Sequence, residues 1–210
     1  MKARRSLLPS ARRLAVERGV VLFVALIATL ALMLGGMALV RAVATDTAIG
    51  GNIATRQQAT VAASVAIEHD VAALFENGAI ADATHDDPVN NYFAARQAGE
   101  DARGVPRALQ SVSDYPEGAA TIAVGTGFTL RHLVERLCVT EGPASIENCT
   151  LSAPSTAAAS GTPPAAEPPR APYYRVTVRI DGPAGAATFV QAMLGEAANR
   201  HRLSWRVLDE

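Results

Sequence analysis

From Val20 to Val40 the chain carries no charged residue: VVLFVALIATLALMLGGMALV. As a helix rising about 1.5 Å per residue, this run is about 31 Å long. That matches a bilayer hydrocarbon core of about 30 Å. Water is absent from such a core, so a helix that satisfies its own backbone is the form that can span it. Arg41 ends the run, and the sequence beyond it stays rich in Ala and Gln, without proline, as far as Phe75. Ile67, Val71 and Leu74 recur at helical spacing, and Ile53 falls near the same face about four turns earlier. Gly50-Gly51 weakens a helix locally, by about 1 kcal/mol per glycine relative to alanine. The pattern predicts one long helix over Val20–Phe75 with a soft spot at the glycines. A membrane helix followed by a separate soluble helix is the alternative.

The period then changes. Asn77-Gly78 is a turn signal, and residues 79–120 read as loop-rich, with a short helix near Asn91–Ala98. Thr121–Val124 reads as a strand. Thr129–Cys138 is ambiguous, because Leu130, Leu133, Val134 and Leu137 also fit an amphipathic helix; strand is the preferred reading. Residues 152–172 combine Pro, Ala, Ser and Gly with little apolar bulk, a mobile-loop composition. Tyr174–Ile180 alternates strictly. It predicts Val176, Val178 and Ile180 toward the core and Arg175, Thr177 and Arg179 toward solvent. Asp181-Gly182-Pro183 turns the chain, Ala187–Leu194 returns, and Leu203–Leu208 offers a third strand. The expected fold class is α+β: a long N-terminal transmembrane and stalk helix packed on a small antiparallel β-sheet head.

Charge sets the orientation. Lys2, Arg4, Arg5, Arg12, Arg13 and Arg18 precede the apolar run, whereas only Arg41 and Arg56 follow it closely. The positive-inside bias keeps the N-terminus in the cytoplasm and exports the C-terminal bulk. Overall the chain is near neutral, at a net charge of −1, without the concentrated basic face of a nucleic-acid binder. Three readings compete for the first forty residues. A cleaved signal peptide finds a small-x-small site at Ala42-Val43-Ala44, but its apolar run is too long and Arg41 intervenes. An uncleaved anchor is the second. The third rests on Glu17-Arg18-Gly19 standing immediately before the apolar run, the layout of a type IV prepilin leader.

Taken together, RGVVLFVALIATLALMLGGMALVRAV, the stretch Ala48-Ile49-Gly50-Gly51-Asn52, the segment Arg56-Gln57-Gln58-Ala59-Thr60-Val61-Ala62-Ala63 and the C-terminal run Tyr173–Leu194 resemble the PilX type of minor pilin assembly proteins of type IV pili. The resemblance touches both ends of the chain and leaves the middle unmatched. It implies a leader over residues 1–19, cleaved by prepilin peptidase after Gly19 to leave Val20 as a methylated N-terminus. It implies a transmembrane segment over 20–40, a stalk over 41–76 and a periplasmic α+β head over 77–210. The implied role is support of pilus assembly or initiation at the bacterial inner membrane or the pilus tip, with other minor pilins and assembly proteins as partners. One departure from the major-pilin pattern stands out: the fifth mature position, where major pilins carry Glu, is Val24. The K-type pseudopilins of type II secretion share that feature, so a pseudopilin is the near alternative. A bitopic periplasmic binding or enzymatic domain is the more distant one. Small residues at Ala25, Ala28, Gly35 and Gly36 suit close helix–helix approach.

Two cysteines are too few for a disulfide-dense scaffold or a four-cysteine zinc site. An exported head lets a disulfide between Cys138 and Cys149 persist, free thiols being the alternative. No catalytic signature emerges. Glu68-His69-Asp70 reads as a solvated helix face, His85-Asp86-Asp87 as a turn, and His132 and His201 as isolated surface or structural groups. Gly125-Thr126-Gly127 lacks the third glycine of a dinucleotide loop. Neither enzyme activity, cofactor, metal, nucleic acid nor small-molecule substrate is expected.

Overall fold

The computed structural model describes residues 18–125, 127–152, 170–185, 187–196 and 202–208. Helix α1 runs from Arg18 to Val71 and passes through Gly50-Gly51 without a break. It ends in a π-helical turn, Ala72–Glu76. The helix expected over Val20–Phe75 is therefore present, continuous and within a residue or two of its expected bounds. The chain divides into two compact units at Gly51. In the first, every side chain from Val20 to Gly51 is exposed. α1 is long and apolar enough to cross a membrane, and no other helix among the described residues is.

The second unit is a mixed sheet of six strands against which the later part of α1 packs. The strands are β1 (Tyr92–Phe93), β2 (Thr121–Val124), β3 (Phe128–Arg136), β4 (Tyr174–Asp181), β5 (Ala187–Leu194) and β6 (Arg202–Val207). β3, β4, β5 and β6 follow one another in antiparallel pairs, and β2 pairs antiparallel with the start of β3. The expected sheet is thus present, with one difference. β1 pairs parallel with β3 through Tyr92↔Val134 and Phe93↔Glu135. It lies where the sequence suggested a short helix near Asn91–Ala98. Two residues are too short a signal to read from periodicity; the free edge of β3 supplies their partner. The apolar run from Leu130 onward is strand, and its helix-like spacing arises because both faces of β3 are buried.

On one face of the sheet, α1 contributes Ala59, Ala62, Ala63, Ala66, Ile67 and Val71 to a core with Leu130, Val134, Val176, Val178, Ile180, Val190 and Ala192. Alanine brings the helix backbone close to the sheet. Ile53, expected on this face, is 53% exposed and makes no part of the core. Its angle on the helix is not the cause, because Val71, about five full turns further on, is buried; the packed part of α1 begins at Ala59, beyond Ile53.

The opposite face is also covered, which corrects the expected solvent-facing side of β4. Arg175 is 7% exposed and Thr177 is fully buried. Val105 and Leu109, from the segment before β2, pack there with Leu133, Phe189 and Leu208. Charged groups fasten that cover. Arg175 donates to Glu135 at 2.7 Å and to Glu100 at 2.6 Å. Arg179 donates to the carbonyls of Leu109 and Gln110 and to Asp181, which also pairs with Arg131. On the helix side of the sheet, Arg136, in register with Tyr174 and almost wholly buried, donates to the Ala94 carbonyl at 2.9 Å and the Gly142 carbonyl at 2.6 Å. Cys138 and Cys149 are joined as a disulfide, as expected. The Ser152 amide donates to the Ala171 carbonyl at the base of the Pro/Ala-rich segment, most of which lies outside the described residues.

Candidate functional site

The buried stripe of α1 recurs at Ala59, Ala63, Ala66 and Ala73, and its remaining slot is Asp70, 1% exposed. On β3, the residue between inward-facing Leu130 and Val134 is His132, which has no exposed surface. The helix and the strand therefore each place a polar group where their own pattern calls for an apolar one. The two groups meet: His132 Nε2 lies 3.2 Å from Asp70 Oδ1. His69, next along the helix, brings Nδ1 to 3.3 Å from the same oxygen while about half of its side chain stays exposed. Its ring stands 5.5 Å from that of His132. The ligand atoms of the three residues all lie within 4.8 Å of one another, and among the described residues this is the one such grouping of His, Cys, Asp or Glu side chains.

Asn91 closes the inner side. It holds a left-handed backbone, φ 54°, which Asn tolerates better than most residues. Its side-chain amide nitrogen donates to the Ala120 carbonyl at 3.1 Å and stands 3.1 Å from His132 Nε2. The Tyr115 hydroxyl donates to the Ala120 and His132 carbonyls, and burial pushes its pKa up to about 12. Among the described residues, three buried side-chain atoms have no hydrogen-bond partner: Asp70 Oδ2, Asn91 Oδ1 and His132 Nδ1. Such atoms are uncommon, because an unpaired buried polar atom costs about 1–3 kcal/mol.

The electrostatics follow from the burial. Loss of solvent raises the Asp70 carboxyl above its usual range, against the pull of the two histidines. The same effect lowers His132, opposed by the Asp70 charge. His69 is raised, chiefly by its hydrogen bond to Asp70. The arrangement is a carboxylate flanked by two imidazoles, closed on the sheet side and open on the His69 side. No family model, curated protein or solved structure matches the chain. The functional reading therefore rests on the sequence and the geometry.

The fold redistributes the residues singled out from the sequence. Asp70 is not on a solvated face, and His132 is neither isolated nor satisfied. A signal for both was present: each sits at a core position of its element's period. His85 pairs with Asp82 at 2.9 Å, Asp86 accepts from the Ala94 amide, and Asp87 accepts from Asn90; these groups fasten a turn. His201 lies outside the described residues, as do residues 1–17 of the expected leader. At the expected processing point, Gly19 and Val20 lie in the first turn of α1, and Val20 is exposed.

A second feature is an open groove of about 520 Å³ between α1 and the β2–β3 turn. Gln57, Gln58, Val61, Ala62 and Val65 form one wall, and Val124, Gly125 and Phe128 the other. Val61 is 71% exposed and Val65 is 47% exposed. An apolar stripe thus remains uncovered beside the buried alanine stripe.

Proposed function

We propose that the chain is a minor pilin-like subunit of the PilX type that supports assembly or initiation of type IV pili by helix–helix packing. The observation that carries the reading is the change of character along α1. Over residues 20–40 the helix is apolar and exposed on all sides; from Ala59 onward it presents an alanine stripe to the mixed sheet. A subunit stored in a bilayer needs the first property, and one that carries a folded head on the same helix needs the second. In this reading the N-terminus is cytoplasmic, the span lies in the bacterial inner membrane and the head is periplasmic. Prepilin peptidase cuts after Gly19, and the apolar rod from Val20 then packs beside the rods of other minor pilins. Ala25, Ala28, Gly35 and Gly36 are all exposed, and a Cβ built on either glycine meets no atom within 4 Å. These positions give a second helix a place of close approach. The valine at position 24 leaves the rod without the carboxylate that would pair with a neighbouring subunit's amine, which suits an initiating position over repeated stacking.

The test is deletion of the gene with surface filaments counted by electron microscopy. Filaments are expected to fall sharply and to return with the wild-type gene. They should stay low with a Gly35→Ile, Gly36→Ile variant that reaches the membrane at normal levels. Normal piliation in the deletion strain refutes the reading.

A further inference from the structure

We propose that His69, Asp70 and His132 form a binding site for a Zn²⁺-class divalent cation that ties α1 to β3. The inference does not depend on the pilus reading. Around a tetrahedral ion with metal–ligand bonds of about 2.0–2.1 Å, neighbouring donor atoms stand about 3.3–3.4 Å apart. The two edges that meet at Asp70 Oδ1 measure 3.3 Å to His69 Nδ1 and 3.2 Å to His132 Nε2. The third edge, between the imidazoles, is no longer than 4.8 Å and closes by rotation of the half-exposed His69 ring.

The hydrogen bonding of the cluster points the same way. His132 Nε2, 3.2 Å from Asp70 Oδ1, also stands 3.1 Å from the Asn91 amide nitrogen, and His132 Nδ1 has no hydrogen-bond partner. Asp70 Oδ2, on a side chain 1% exposed, has no partner at all. A cation here would meet the carboxylate oxygen that no protein donor reaches, and would take the place of the proton shared between Asp70 and the imidazoles, which is released on binding. The donor set selects its class. Two imidazoles and one carboxylate suit zinc and its first-row neighbours, whereas Ca²⁺ and Mg²⁺ favour all-oxygen sets. Both cysteines are taken by the disulfide, so no thiolate competes within the chain. The exposed edge of His69 provides the entry route and leaves a fourth position for water. The bound ion bridges α1 and β3, and so fixes how the packed end of α1 sits on the sheet.

The test uses the full chain, purified without a polyhistidine tag, held in detergent micelles and stripped with EDTA. Zn²⁺ is titrated by calorimetry, and Co²⁺ is added as a spectroscopic probe. The expected result is one saturable equivalent of Zn²⁺, a visible Co²⁺ spectrum of tetrahedral type and a higher thermal midpoint with Zn²⁺. His69→Ala, at a half-exposed position that the fold tolerates, should weaken Zn²⁺ binding at least about tenfold and abolish the thermal shift. His85→Ala, in the exposed turn, should change neither. Absence of saturable binding, or equal affinity in wild type and His69→Ala, overturns the proposal.

Discussion

Two isoleucines of α1 provide a direct test of how the helix meets the sheet. The sequence places Ile53 and Ile67 near one face, whereas in the structure Ile67 is 2% exposed and Ile53 is 53% exposed. Truncating Ile67 to alanine removes three methylene-sized groups from a packed core. At about 0.8 kcal/mol each, the transfer loss is about 2.4 kcal/mol. A residual cavity adds to it, because the sheet and helix backbones relax only partly, and the total falls at about 2–5 kcal/mol. Ile53→Ala removes the same groups from a mostly solvated position, where the expected change is within about 0.5 kcal/mol. The assay is urea unfolding of the full chain in micelles, followed by the fluorescence of Trp205, the single tryptophan, on β6. Ile67→Ala should lower the midpoint well below that of wild type, and Ile53→Ala should leave it nearly unchanged. Equal losses from the two variants would refute the packing described.

The disulfide and the buried arginine network carry two more predictions. Reducing Cys138–Cys149, or replacing both cysteines by serine, reopens a short loop with a sequence separation of 11 and should cost about 3 kcal/mol in the chain-entropy account; a dithiothreitol-dependent shift in the urea midpoint measures it. Glu100 is held below the usual glutamate range, chiefly by its hydrogen bond from Arg175. A depressed folded-state pKa contributes stability above the unfolded value, 4.5, that is lost as pH falls through the folded value. Glu100→Gln should therefore lower stability at pH 7 and flatten its decline in acid, as read from urea midpoints across that range.

Much of this architecture is legible in local pattern. The uncharged run, the proline-free stalk ending near Phe75 and the alternation of Tyr174–Ile180 each dictate an element within one stretch of chain. What local pattern does not carry is the cover on the far side of the sheet. Arg175 alternates as an outward residue, yet Glu135 and Glu100, distant in sequence, enclose it. Two-residue β1 is set by the open edge of β3 and not by its own composition. The His69–Asp70–His132 cluster is hidden for the same reason. Its members lie on a helix and a strand that meet only in the folded head, and the one local clue is that Asp70 interrupts an alanine stripe.

The central claim concerns the front of the rod, and the mass of the mature chain tests it most directly. In cells with active prepilin peptidase, intact-protein mass spectrometry should find a chain that begins at Val20 with a methylated amine. A chain that retains Met1–Gly19, or that begins at Thr45, contradicts the account.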